Sequence, residues 1–487
     1  MAEASLRKFQ STPAHPWSKV RAAHLLNRAG FGGTPEQIAR VAAMRMEAAV
    51  DELLNYEQAP DGSFPEVEFS GLRDAYAALL RARRERADER TIRDLVNQIN
   101  RLNRLKFQEL RANWIARMVQ SSRPLLERMV LFWHGLLVSG FPDTQVSEHM
   151  AIQLDLFRRM ATGSFKELIL AISRDPAMLS YLDNNSNRKG RPNENYAREL
   201  MELFTMGVGT YTELDVKEAA RAFTGWSFVG NDFVFRRDQH DDGQKTFLGR
   251  TGAWDGTDVI DLIFEQPATT RFLPRRLWEF FAYLGPEDSL LEALADLFRR
   301  SNWEVKAVLR AIFQSEAFYS EKALRAQIKS PAQLVVGSVR LTGAVISELS
   351  LARAMDLMGQ ALLYPPNVGG WPRGQRWVNT ATMLARYNFS NLLISGIMPG
   401  VEQQRATPAR VDHLVDMAKA RTAGEVIDQL VDRFIQVPLD GRRRWALLRA
   451  FGTNREDAPV SLDGAAGQEQ LRSAVHLVMS MPEFQLH

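Results

Sequence analysis

The chain contains no cysteine. This removes disulfides, thiolate metal ligands and cysteine nucleophiles together. It leaves the compartment open, because an exported protein can also manage without disulfides. No apolar stretch of about 18 residues occurs, so no membrane-spanning helix is expected. The opening "MAEASLRKFQSTPAHPWSKV" lacks the apolar run of a signal peptide, and a soluble, cytoplasmic protein is the expectation from the chain as it stands. An excess of either charge is also missing: 61 basic residues face 58 acidic ones, for a net +3. A nucleic-acid partner would need local clustering of that charge, and none is expected. P-loop, dinucleotide, HExxH and GxSxG signatures are absent, which leaves nucleotide chemistry, zincin chemistry and a serine-hydrolase elbow without support. The Glu-x-x-His pairs of di-iron bundles are missing too. Glu199-Leu-Met-Glu202 offers carboxylates alone, with Phe204 where a histidine would help.

What is present is helical periodicity. A hydrophobic content of 45% with 24% charged residues is that of a soluble globular protein, and 487 residues predict two or three cores. Residues 19–56 read as two helices around "GFGGTPEQI", with Thr34 capping a helix that starts at Pro35. Residues 70–120 are helical and heavily charged. In "RARRERADER" the acids interleave with the arginines at three- and four-residue offsets, which favours a solvated helix or helical hairpin over a basic binding arm. Pro124 is placed to start a further helix, and Thr212 to cap another. The clear β signal is "WSFV" and "FVFR" flanking "GND", a hairpin near 226–238. The expected architecture is mainly α, a multi-helical bundle-like array with that small β-hairpin insertion. Its expected parts are N-terminal helices and a loop over 1–69, a main helical core over 70–397, and a C-terminal helical region over 398–487. Residues 398–410 would serve as the linker.

Four stretches gather residues that can do chemistry. The first is "NENYARELMEL". At 100° per residue, Glu194, Arg198, Glu202, Asn195 and Glu199 share one polar arc, opposite Tyr196, Leu200, Met201, Leu203 and Phe204. Glu194–Arg198 and Arg198–Glu202 are i,i+4 pairs, each worth a few tenths of a kcal/mol on a surface helix. Either this is a solvated face, or it lines a cleft in which Glu199 and Glu202 bind a metal or divide acid and base duties. The second is "HDDGQKTFLG", where His240 and Asp241 stand beside a glycine and Lys245. It is either a ligand or base cluster, or a polar turn. The third is His134, on an apolar helix seven residues after Glu127. It is a core histidine unless His240 or a glutamate lies opposite. The fourth is "YPPNVGGWPRGQRWVN", a rigid aromatic loop. Exposed Trp371 and Trp377 would stack on sugar rings or cover a pocket, and buried ones would plug the space between helices.

Together these stretches resemble DUF1800, a bacterial family of unknown function. The matching segments are "HLLNRAGFGGTPEQI", "FWHGLL", the run from "DPAMLSYLDNNSNRKG" through "RAFTGW", "HDDGQKTFLG", "LYPPNVGGWP" and "MPEFQ". They follow one another in family order over nearly the whole chain. Asn193, Glu194, Asn195, Arg198, Glu199 and Glu202 match the family's hallmark helix, and His240, Asp241, Gly243 and Lys245 match its second motif. Many relatives carry His where Phe204 stands here, which weakens any metal site built on that position. The resemblance brings no established activity. It implies export, since relatives commonly look exported. It also implies a neighbour, since relatives often sit beside genes for a DUF1501 protein, similar to sulfatases and alkaline phosphatases.

Two functions are therefore expected in competition. One is a hydrolase-type enzyme on a polar, polysaccharide-like substrate. In it Glu199, Glu202, His240 and Asp241 would be catalytic, and Asn195, Arg198, Lys245 and Trp371 would bind substrate. His134, His240 and Glu202 would be the candidate ligands of a divalent metal. The other is a non-catalytic helical partner or export companion of a DUF1501 protein.

Overall fold

Helix starts are set where the sequence supplies a capping side chain. The Thr34 hydroxyl accepts from the Gln37 N–H, the Gln37 side chain accepts from the Thr34 N–H, and Pro35 occupies the first turn. Thr212 with Asp215 and Ser330 with Gln333 repeat the arrangement. Each such cap contributes about 1 kcal/mol. The computed structural model describes residues 6–397, 407–462 and 464–487. Among the described residues there are twenty-two α-helices and two small two-stranded antiparallel sheets, a mainly α fold as expected.

The segment expected as two helices over 19–56 forms three: Lys19–Ala29, Pro35–Ala43 and Met46–Leu54. Met44 and Arg45 adopt extended backbone and break the second one. The charged stretch is a helical hairpin, Ser70–Arg84 and Glu89–Gln120, turned at Arg86 with φ 53° and restarted by an Asp88 cap. Phe69, Leu72, Ala75, Leu79 and Ile99 give it a small core of its own. The Asn103 carbonyl oxygen accepts from the Ser147 N–H and hydroxyl, and Arg73 donates to Glu148, so the hairpin is tied to the body. The main hydrophobic cluster runs from Phe9 to Phe484 and draws on all three expected segments. Trp114, Trp133 and Trp278 are fully buried in it. Residues 398–406 of the expected linker lie outside the described residues. Just beyond them, Ala409 is buried and its N–H bonds to the Leu393 carbonyl at 2.8 Å.

The expected hairpin is β1, Trp226–Val229, paired with β2, Asp232–Phe235. Its two-residue turn puts positive φ on Gly230 (62°) and not on Asn231, the pattern of a type II′ turn. A second hairpin follows that sequence reasoning missed: β3, Lys245–Phe247, with β4, Arg250–Gly252. Its turn requires positive φ at Leu248 (47°) and Gly249 (78°), and leucine is not a residue that announces such a turn. The Leu248 conformation is held by its N–H, which donates to Asp215 Oδ1 at 2.7 Å.

Candidate functional site

The hallmark helix begins as a regular α-helix, Asn195–Glu199, and then widens into a π-helix, Leu200–Thr205. The Met206 N–H bonds to the Met201 carbonyl at 2.8 Å, five residues back. Such π segments frequently occur at functional sites. The apolar arc is buried as the helical wheel requires: Tyr196, Leu200, Met201 and Phe204 are all inaccessible. One of the two expected i,i+4 pairs is absent. Arg198 reaches Glu194 at 3.2 Å, but its other bonds go to Glu213 rather than Glu202, two of them at 2.8 Å. A carboxylate at the start of the next helix, Glu213–Ala222, offers a bidentate match that a single helix face cannot.

Glu199 and Glu202 are therefore left without an arginine. Both are half-buried, and neither enters an ion pair among the described residues. Glu202 Oε2 accepts from the Tyr211 hydroxyl at 2.8 Å. Burial, and then the neighbouring Glu202 charge, hold the Glu199 carboxyl above its ordinary value. Tyr181 lies within reach of the Glu199 charge. Burial first, then Asp143 and Glu199, push its phenol up to about 12. A Cβ built on Gly140 would meet Asp143 Oδ2 at 3.3 Å and the Tyr181 ring at 3.5 Å, which places those two side chains together. Sequence reasoning missed Tyr181, Tyr211 and Asp143, whose approach depends on how the helices pack. Asn195 is exposed at the head of the helix, its N–H bonded to Asn193 Oδ1 at 3.0 Å.

The second motif folds into a closed network. His240 is buried, donates through Nδ1 to the Thr224 carbonyl at 2.8 Å, and packs edge-on against Phe235. Asp241 accepts from Arg221 Nε at 2.8 Å and from the Gly243 N–H at 2.9 Å. Those bonds, Arg221 foremost, hold its carboxyl down at about 2. Lys245 is buried, with Nζ donating to the Asp241 and Gly243 carbonyls at 2.5 and 3.1 Å. Arg221 also binds Glu218, which in turn accepts from the Thr246 N–H. This knot sits at the far end of the helix Glu213–Ala222 from Arg198. Glu213 and Arg221 are eight residues apart, or about 12 Å along the axis at 1.5 Å per residue.

His134 lies in an aromatic cage of Trp114, Trp371 and Phe157, with ring centroids at 5.6, 5.3 and 6.4 Å. Among the described residues neither ring nitrogen finds a partner, and burial pulls its pKa down to about 3. The three metal candidates do not converge. His134 faces aromatics, His240 faces Thr224, and Glu202 faces Tyr211. Among the described residues no group of three or more His, Asp or Glu is arranged to hold a metal ion. The two loop tryptophans, expected to be exposed if they stacked on sugars, are both buried. Trp371 donates to the Ala361 carbonyl at 3.1 Å, and the loop is pressed onto the helix Pro124–Leu136 so closely that a Cβ on Gly370 would lie 2.3 Å from the Gly135 carbonyl oxygen. Trp371 and Trp377 wall a cleft of about 110 Å³.

A family model described as a protein of unknown function, DUF1800, matches residues 24–486. No curated protein and no solved structure matches the chain.

Proposed function

The chain belongs to the DUF1800 family, and we propose that it is a hydrolase-type enzyme whose acid and base are Glu199 and Glu202. The observation that carries this reading is that both carboxylates are half-buried on one turn while the adjacent Arg198 is committed to Glu213 and Glu194. Two carboxyls whose environments differ can divide acid and base work between them. Glu199, held above its ordinary value by burial and by its neighbour, is the better suited of the two to give a proton to a leaving oxygen. Glu202, already accepting from Tyr211, takes a proton from the attacking water. The leaving group is an oxygen of a polar, polysaccharide-like substrate, and Asn195 is exposed at the head of the helix to bond a hydroxyl. The reading uses no metal, because the candidate ligands do not converge.

The test is release of reducing ends from a panel of polysaccharides, with Glu199→Gln, Glu202→Gln and the double variant alongside. Each single change should lower the rate by about 100-fold or more. Glu199→Gln should also remove the loss of activity at high pH, where the acid would be deprotonated. If the unaltered protein releases no more than the double variant across the panel, Glu199 and Glu202 are not a hydrolytic pair.

A second reading is favoured by the closed network around Asp241: a non-catalytic helical partner, of the kind that would accompany an exported, sulfatase-like DUF1501 protein. It predicts that the chain pulled from its native cells brings such a protein with it in fixed ratio. Recovery of the chain alone rejects it.

A further inference from the structure

The cleft behind the aromatic loop is built around positive charge that the chain does not neutralise. Arg128, Arg276 and Arg373 all line it, against one carboxylate, Glu279. Three cations and one anion leave an excess of two positive charges. Arg128 is 1% exposed, and its Nε and Nη1 have no hydrogen-bond partner among the described residues. Its guanidinium stacks on Phe280 at 4.4 Å, a contact that uses the ring face and leaves the in-plane donors free. Arg276 lies over Phe272 at 5.2 Å, and Arg373 stands exposed at the rim. Neither donates a hydrogen bond or enters an ion pair within the described residues. An unsatisfied buried donor is costly, and more so when it is charged. Three arginines lining one cavity against a single carboxylate, with the buried one lacking a hydrogen-bond acceptor among the described residues, is an arrangement that a ligand oxyanion would relieve.

The remaining walls say what that oxyanion is attached to. Trp371, Trp377, Phe132 and Phe280 line the cavity. Its volume of about 110 Å³ is of the order of the roughly 150 Å³ apolar cavity that holds benzene, so the body is a small ring or short chain. Ser330, which caps the twelve-residue helix Pro331–Thr342, and Gln333 in its first turn also line the cleft and add polar atoms to its wall. A planar carboxylate matches the guanidinium fork with two parallel hydrogen bonds. We propose that this cleft is a binding site for a small organic carboxylate, with Arg128 as the buried anchor, Arg276 and Arg373 closing on the anion from the rim, and the aromatic loop covering the apolar body. The site is separate from Glu199 and Glu202 and does not depend on their role.

The test is isothermal titration calorimetry of the full chain with benzoate, its neutral isostere benzamide, and inorganic phosphate. Benzoate should bind saturably at one site. Benzamide, which keeps the ring and loses the charge, should bind at least about tenfold more weakly, and so should phosphate, which keeps the charge and loses the ring. Arg276→Gln and Arg373→Gln, at positions that are not fully buried, should each weaken benzoate by about tenfold while leaving the thermal melt unchanged. Arg128→Met should abolish binding. If that buried variant does not fold, the two rim variants still decide. Absence of saturable benzoate binding, equal binding of benzamide, or unchanged affinity in the folded rim variants would each overturn the site. Phosphate binding as tightly as benzoate would overturn the organic part of the ligand.

Discussion

Asp175 offers a quantitative test of how the interior near the candidate pair is held. It caps the helix Pro176–Tyr181, whose last residue lies within reach of the Glu199 charge. Its Oδ1 accepts from the Met178 N–H at 3.0 Å and from Gln153 Nε2 at 2.8 Å. Its Oδ2 and the Gln153 Oε1 are both buried acceptors without a donor among the described residues. A proton on Oδ2 converts one of those acceptors into a donor, so the neutral form suits the site better than the charged one. Burial, the largest influence, pushes its pKa from 3.8 up to about 7. At 1.36 kcal/mol per tenfold change in proton affinity, the neutral form is favoured by about 4 kcal/mol in the folded state relative to the unfolded one. The sign follows from a raised acid: the contribution is complete below the unfolded value of 3.8 and is lost as pH rises through about 7. Asp175→Asn keeps the cap, since Asn and Asp serve equally there, and supplies a permanent donor. Urea unfolding followed by circular dichroism should show the two proteins close in stability near pH 4. The variant should become the more stable by up to about 4 kcal/mol near pH 8. A stability difference that does not change with pH, or one that moves against the variant as pH rises, would refute the reasoning.

Two further outcomes follow from the same structure. His134, with its pKa drawn down to about 3 by burial, should contribute acid sensitivity of the opposite sign: its stabilisation is present above the unfolded value of 6.5 and is lost as pH falls toward about 3. His134→Leu should therefore shift the acid-unfolding midpoint to lower pH, at a cost of less than about 1.5 kcal/mol near neutrality, as read by a far-ultraviolet titration. Asp241→Asn leaves Arg221 with weakened partners and should destabilise the chain by about 1–3 kcal/mol. If the second motif is scaffolding, the same change should leave any hydrolytic rate of the folded protein within about twofold, whereas a catalytic Asp241 would cost about 100-fold.

Some of this was legible in residues alone and some was not. Thr34 and Thr212 act on backbone groups three residues away, so their roles need no knowledge of the rest of the fold. The β1–β2 hairpin was visible because Gly230 sits between two aromatic, β-branched runs. The β3–β4 hairpin was hidden because Leu248 takes a left-handed conformation that only Asp215, from a different helix, makes tolerable. The polar arc of the hallmark helix was predicted correctly as an arc, but the partners of its members were not. Whether Arg198 neutralises Glu202 or Glu213 is decided by where the next helix begins. His240, Asp241 and Lys245 looked like a reactive cluster because their types are complementary. In the fold the acid and the lysine are spent on Arg221 and on backbone carbonyls, and the histidine on a backbone carbonyl.

By itself the sequence determined the helical class, the position of the caps and the first hairpin, the family, and the absence of cysteine chemistry and of a membrane-spanning helix. All of these depend on composition or on neighbours within a turn or two. Only the tertiary structure decided that Glu199 and Glu202 form no ion pair among the described residues, that the metal candidates are apart, and that Arg128, Arg276 and Arg373 line one cleft with two tryptophans. Charges far apart in the chain acquire partners, or go without, only when packing fixes the distances between them, and Coulomb and hydrogen-bond energies depend on those distances.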